Sequence, residues 1–221
     1  MARWLTQQVA EYDVTNDFWK FQTAEISSLF NAFSALVTLP SHDLVVIGGL
    51  DDSVPNRPAF ANSCFMIQEV PEDAYTNRYI EKHLPSMITR RGCMAAVYHE
   101  GYIYCFGGIN YTDKVMRKCE RFSFFDDTPK WEKIADMKQC RKNASAVSVT
   151  ADTIYVFGGS TNSQPTLDSI EQYSVASNRW NTLQVKMPIS LCFLSSFKLS
   201  PTKILILGGT TTQQSTESRQ P

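Results

Sequence analysis

The sequence predicts an all-β protein built from repeated units of about 50 residues, with four strands to a unit. Three observations predict it. First, apolar runs end in paired glycines at Gly48-Gly49, Gly107-Gly108, Gly158-Gly159 and Gly208-Gly209, with first glycines 59, 51 and 50 residues apart. These pairs hold eight of the ten glycines, and such self-similarity marks units that share one stacked core. Second, an aromatic residue, a turn-rich cluster and a Trp recur as Tyr12 to Trp19, Phe122 to Trp131 and Tyr173 to Trp180. Third, Met-x-x-x-Arg recurs as Met87 to Arg91 and Met137 to Arg141.

Taken in order, residues 8 to 22 read as strand, turn and strand, with Asp13 to Asp17 as the reversal. Leu44 to Ile47 is the first glycine-ended strand, followed by an extended loop over 51–58. That unit has no Trp before His83, and Tyr79 is read in its place. Next come Met87 and Arg91, the small-residue strand Cys93 to Val97, a polar turn at His99-Glu100-Gly101, and the strand Tyr102 to Phe106. The third unit repeats this with Met137, Arg141, Ala144 to Val149 and Ile154 to Phe157. In the last unit Leu191 stands where Arg is expected, and Thr210 to Pro221 reads as a polar tail. Small residues suit an innermost strand, where neighbouring sheets converge. Each Tyr or Phe and its Trp lie on strands flanking a turn, placed for cross-strand and inter-sheet packing.

This pattern resembles the kelch repeat, whose double glycine, spaced Tyr and Trp, and Met and Arg are carried here by Gly107-Gly108, Phe122, Trp131, Met137 and Arg141, and again by Gly158-Gly159, Tyr173 and Trp180. The outer units match less closely. The resemblance implies a kelch-type β-propeller of four-stranded antiparallel blades, with strands a to d running from the centre outward. It divides 1–209 into a partial blade at 8–22, full blades at about 23–83, 84–135 and 136–185, and a partial blade at 186–209. The total is about four blade equivalents. The ragged ends are complementary halves that could form one composite blade. An incomplete propeller, finished by further sequence or a partner chain, is favoured over a closed four-blade ring, and it would leave open sheet edges.

Composition excludes several classes. Hydrophobic residues make up 43% and charged residues 19%, and net charge is -1, which fits a folded domain without a field for nucleic acid or anionic membrane. No apolar run reaches 18 residues, and Met1 to Thr15 lacks a signal-peptide core, so the expected compartment is cytoplasmic or cytoskeletal rather than secreted. The six cysteines form no CxxC pair and read as reduced thiols, with Cys105 a core residue. Asn110-Tyr111-Thr112 and Asn143-Ala144-Ser145 read as chance matches to the glycosylation pattern.

The motifs GxSxG, GxxxxGK[ST] and HExxH are missing, and His42, His83 and His99 read as loop residues near turns. Asp51-Asp52 and Asp126-Asp127 read as turn acids. The expectation is a non-catalytic interaction scaffold without cofactor or metal, a subunit of a larger protein complex. The alternative is an enzyme with a sugar-like or metal-assisted site on the propeller face. In blades of this kind the b-to-c and d-to-a loops share one face, and function sits on such loops above a rigid scaffold. Arg90, Arg91, Arg141 and Lys142 are expected to gather there with Tyr111 and Asn162. An acidic peptide is the expected partner, held by bidentate contacts from Arg91 and Arg141. The competing reading has these arginines brace neighbouring loops and backbone carbonyls.

Overall fold

The computed structural model describes residues 7–24, 31–51, 59–69, 79–124 and 126–211, and the strands among them account for the architecture. A first hairpin pairs β1 (Gln7–Asp13) with β2 (Phe18–Ala24). The first blade orders β3 (Ala35–Thr38), β4 (Leu44–Ile47), β7 (Cys64–Glu69) and β8 (Tyr79–Leu84) side by side. Its b-to-c connection carries a short ladder of β5 (Leu50–Asp51) and β6 (Ala59–Phe60). The second blade is β9 (Ala95–His99), β10 (Tyr102–Phe106), β11 (Cys119–Ser123) and β12 (Trp131–Ile134). The third is β13 (Ser145–Thr150), β14 (Thr153–Phe157), β15 (Ile170–Ser174) and β16 (Arg179–Thr182). Last comes a hairpin of β17 (Cys192–Ser200) and β18 (Lys203–Thr210).

All these pairings are antiparallel, so each blade is a four-stranded meander. β1–β2 and β17–β18 remain separate two-stranded sheets, and the propeller is not closed. The extended loop expected over 51–58 lies outside the described residues from 52 onward, as does the polar tail from 212; Thr210 itself ends β18.

The core lies between blades. Val37, Val45 and Met66 of the first blade pack with Ile103, Cys105, Phe122 and Trp131 of the second. Tyr104, Phe106 and Cys119 of the second pack with Ile154, Tyr173 and Trp180 of the third. The aromatic phrase thus works across sheets. Trp131 Nε1 donates to Pro85 O of the preceding blade at 2.8 Å, and Trp180 Nε1 donates to Ala135 O at 2.8 Å. Burying each ring contributes roughly 1.5–3 kcal/mol. In register, Phe122 faces Trp131 and Tyr173 faces Trp180, but the corresponding Ile67 faces Glu81. Tyr79 therefore does not take the Trp position; it lies two rungs away, opposite Glu69.

The innermost a strands are tied by a backbone relay. Cys93 N donates to Phe33 O at 3.0 Å, Asn143 N to Cys93 O at 2.8 Å, and Phe193 N to Asn143 O at 2.9 Å. All four residues have positive φ, at 63°, 55°, 54° and 56° in chain order. The glycine pairs explain the close approach beside it. At Gly107 (φ 64°) a Cβ would lie 2.2 Å from Arg141 O and 2.9 Å from the Met137 side chain, so no other residue fits. Its neighbour Gly108 donates its N–H to that same Arg141 O at 2.9 Å.

Candidate functional face and the buried arginines

The d-to-a and b-to-c loops do come together. Met87 N donates to Asn62 O at 2.8 Å, Arg91 N to Ala61 O at 3.0 Å, Met137 N to Arg117 O at 3.0 Å and Arg141 N to Met116 O at 3.1 Å. This loop face carries the sequence-predicted residues, but at two very different depths.

Arg91 and Arg141 are 0% and 1% exposed. Arg91 Nη1 donates to Gly107 O at 2.9 Å and Lys118 O at 2.7 Å, and Arg91 Nη2 pairs with Glu120. Arg141 Nη1 donates to Gly158 O at 2.8 Å and Ser169 O at 3.2 Å, and Arg141 Nη2 donates to Glu171 at 2.8 Å. Glu120 accepts from Ile88 N at 2.8 Å, and Glu171 from Gln139 N at 3.1 Å. Each arginine thus locks the glycine turn, the b-to-c loop and the c strand of its own blade. The bidentate contacts expected with a peptide carboxylate are corrected accordingly: these guanidiniums are enclosed and hold internal carboxylates and carbonyls. Burial lowers the Arg141 pKa from its ordinary value, and Glu171 opposes that shift. The repeating Arg was legible in the sequence, but its Glu partner, 29 or 30 residues on, was missed. Glu120 and Glu171 precede the aromatic residue of the phrase by two positions, and that shared spacing was the available signal.

The other predicted residues lie nearer the surface. Arg90 is exposed and Lys142 half-buried, its backbone exchanging hydrogen bonds with Ser160 at 2.9 and 2.8 Å. Tyr111 is 68% exposed. Its turn is fixed by Asn110 Oδ1, which accepts from Thr112 N at 3.1 Å, Thr112 Oγ1 at 2.8 Å and Lys114 N at 3.1 Å. Asn162 is a brace: its Oδ1 accepts from Val115 N at 3.0 Å, and its Nδ2 donates to Asp113 O at 2.8 Å. It joins the b-to-c loops of the second and third blades. Ile88 and Ile189 add apolar surface on the d-to-a loops.

His99 differs from its reading as a loop residue: it ends strand β9 and is 3% exposed. Its Nε2 lies 3.1 Å from Ala151 O, which can only accept, so Nε2 donates there, and Nδ1 shares a 2.8 Å hydrogen bond with Ser148 Oγ. It bridges the second and third blades. Asp126 and Asp127 lie in an exposed bend. All six cysteines are free thiols, and burial pushes the Cys64 and Cys119 pKa up to about 12. Among the described residues, no three His, Cys, Asp or Glu side chains group as a metal site, and no helix is long and apolar enough to cross a membrane.

Repeated four-stranded blades joined by glycine pairs, with a buried Arg–Glu lock and an inter-blade Trp, define a blade-repeat protein. Residues 90–138 and 141–184 match the Kelch motif, so these two stretches are kelch repeats. Beta-scruin from Limulus polyphemus is 30% identical over 142 residues, covering 62% of this chain and 15% of that protein. Kelch-like protein 38 from Rattus norvegicus is 27% identical over 125 residues, covering 57% and 21%. An N-acetylneuraminate epimerase from Vibrio cholerae is 31% identical over 85 residues, covering 36% and 22%.

Proposed function

We propose that this chain is a non-catalytic protein-interaction scaffold, acting within a larger protein complex in a cytoplasmic or cytoskeletal setting. The observation that carries it is the division of labour on the loop face. The buried Arg91 and Arg141 make the loops rigid, and that rigid base presents Tyr111, Arg90 and the apolar Ile88 to solvent, with Lys142 half-buried on the same face. An exposed aromatic and cations on one pre-organised loop face suit a protein partner with an acidic segment. The scruin and Kelch-like relatives support the same reading. The test is a pull-down from the native source comparing the unmodified chain with Tyr111→Ala/Arg90→Glu. The double variant is expected to fold normally and lose the captured partners. Equal capture by both chains rejects this face.

A second reading rests on the likeness to N-acetylneuraminate epimerase. It makes the propeller face a sugar-acid site. Epimerisation of N-acetylneuraminate above the buffer rate, followed by NMR, supports it; an unchanged rate rejects it.

A further inference from the structure

We infer that β1–β2 of one copy completes the blade begun by β17–β18 of a second copy, so that two chains assemble by exchanging half-blades. Strand phase comes first. β1–β2 has the design of the c and d strands of the finished blades: Tyr12 faces Trp19 in register, as Tyr173 faces Trp180. β17–β18 has the design of a and b strands, ending in Gly208-Gly209. One hairpin lacks what the other supplies.

An apolar-lined cleft lies beside β17–β18. It measures about 340 Å³ between the third blade and β18, and Val149, Phe157, Ile170, Leu183, Pro201 and Ile204 line it. In the two finished interfaces this place is filled by Phe122 with Trp131 and by Tyr173 with Trp180. The finished Trp side chains donate to the carbonyls of Pro85 and Ala135, two residues before Met87 and Met137. The residue two before Met187 is Val185, which is 68% exposed, and its carbonyl is the acceptor assigned to Trp19.

Side-chain matching identifies the occupant as this same sequence. Four residues before each first glycine, Ile103 faces Phe122 and Ile154 faces Tyr173; by the same phase Ile204 faces Tyr12. Ile206 then faces Ala10, the position of Glu120 and Glu171 in the finished blades, and Lys203 faces Asp13. In those blades the buried Glu is held by Arg91 or Arg141. In the two half-blades both members change together: Leu191 stands for the Arg, and Ala10 for the Glu. The first blade shows the same coupling, with Asn31 and Phe65 at the two positions. A foreign hairpin carrying the usual Glu would bury an unpaired carboxylate against Leu191, whereas this chain's own hairpin does not.

A second copy, and not the same chain, provides it. The backbone relay steps from blade to blade with no bond from Phe193 back to Phe33, both of these side chains are exposed at 59% and 57%, and the chain's β1–β2 and β17–β18 lie in separate sheets. Two chains exchanging hairpins give eight blade equivalents, within the usual range of about 4–8 for propellers. The contact is reciprocal and closes.

The experiment uses light scattering on the full chain and on two single variants. The unmodified chain is expected at twice the 25.0 kDa of one copy. Ala10→Glu alone and Leu191→Arg alone each bury an unpaired charge in the composite blade and weaken association by more than about 100-fold. An equimolar mixture of the two restores the double mass, because the mixed pair then holds one Arg–Glu composite blade and one Leu–Ala composite blade. Restoration requires both variants to be folded, so it controls for misfolding. Trp19→Ala supplies a second route and is expected to dissociate the pair without changing the circular dichroism of the monomer. A monomeric unmodified chain, association of the single variants equal to that of the unmodified chain, or a mixture that stays monomeric overturns the proposal. A double variant that is a folded monomer while the mixture fails shows closure within one chain instead.

Discussion

The hairpins β15–β16 and β1–β2 carry the same phrase and end in opposite environments. In both, an aromatic residue faces a Trp seven positions on, with ring centroids 5.0 Å apart in β15–β16 and 5.1 Å in β1–β2. In both, the Tyr hydroxyl donates to a side chain of the turn, Asn178 at 2.8 Å in one and Asp17 in the other. Yet Tyr173 and Trp180 are 1% and 5% exposed, while Tyr12 and Trp19 are 44% and 58% exposed. Local sequence sets the turn, the register and the ring contact. Burial comes from the preceding blade, against which Tyr173 and Trp180 pack while Tyr12 and Trp19 stay exposed.

The largest effect is expected from breaking a buried lock. Arg141→Leu leaves Glu171 enclosed without its partner and should cost about 3–5 kcal/mol in urea unfolding. Adding Glu171→Ala recreates the Leu–Ala combination of the outer half-blades and should return much of that loss; no recovery in the double variant would show that the pair is not the source. Next, Trp180→Ala should cost about 3–5 kcal/mol, whereas Trp19→Ala, measured below the concentration at which copies associate, should change stability by under about 0.5 kcal/mol. Equal losses would erase the contrast between the hairpins. A glycine pair gives a smaller contrast. In the unassociated chain, Gly208→Ala meets nothing within 4 Å and carries only the strain of φ 69°, about 1 kcal/mol. Gly107→Ala adds the 2.2 Å clash with Arg141 O and should lower the melting temperature more. The smallest effect concerns pH. The Cys64 and Cys119 pKa values rise from 9.0 to about 12 on folding, so their contribution is full below pH 9 and is lost as pH rises toward 12. Cys64→Ala/Cys119→Ala should flatten the fall of the urea midpoint between pH 9 and 11.

The repeat was readable because glycine pairs, Trp and Met occupy fixed places in every well-formed unit, and each is fixed by backbone approach or inter-blade packing. Strand phase at Tyr79 was not readable. Its blade has Glu81 at the Trp position, and 70–78 before it breaks the spacing by which the other units are aligned. The loop face was legible as a place and not as a depth. Arg90 and Arg91 are adjacent in sequence, but one is exposed and the other enclosed. Nothing local separates them; the Glu that decides it arrives 29 residues later on another strand.

The relay through Phe33, Cys93, Asn143 and Phe193 uses only main-chain N–H and C=O groups. Blade order is therefore written in peptide units, and the side chains at these four positions are free of that task. They are an aromatic, a thiol, an amide and an aromatic, and all are tolerated by one geometry. The middle of the array can thus be re-lettered without disturbing how blades count off, which gives a repeat protein of this kind a chemically editable hub inside a mechanically constant ring segment.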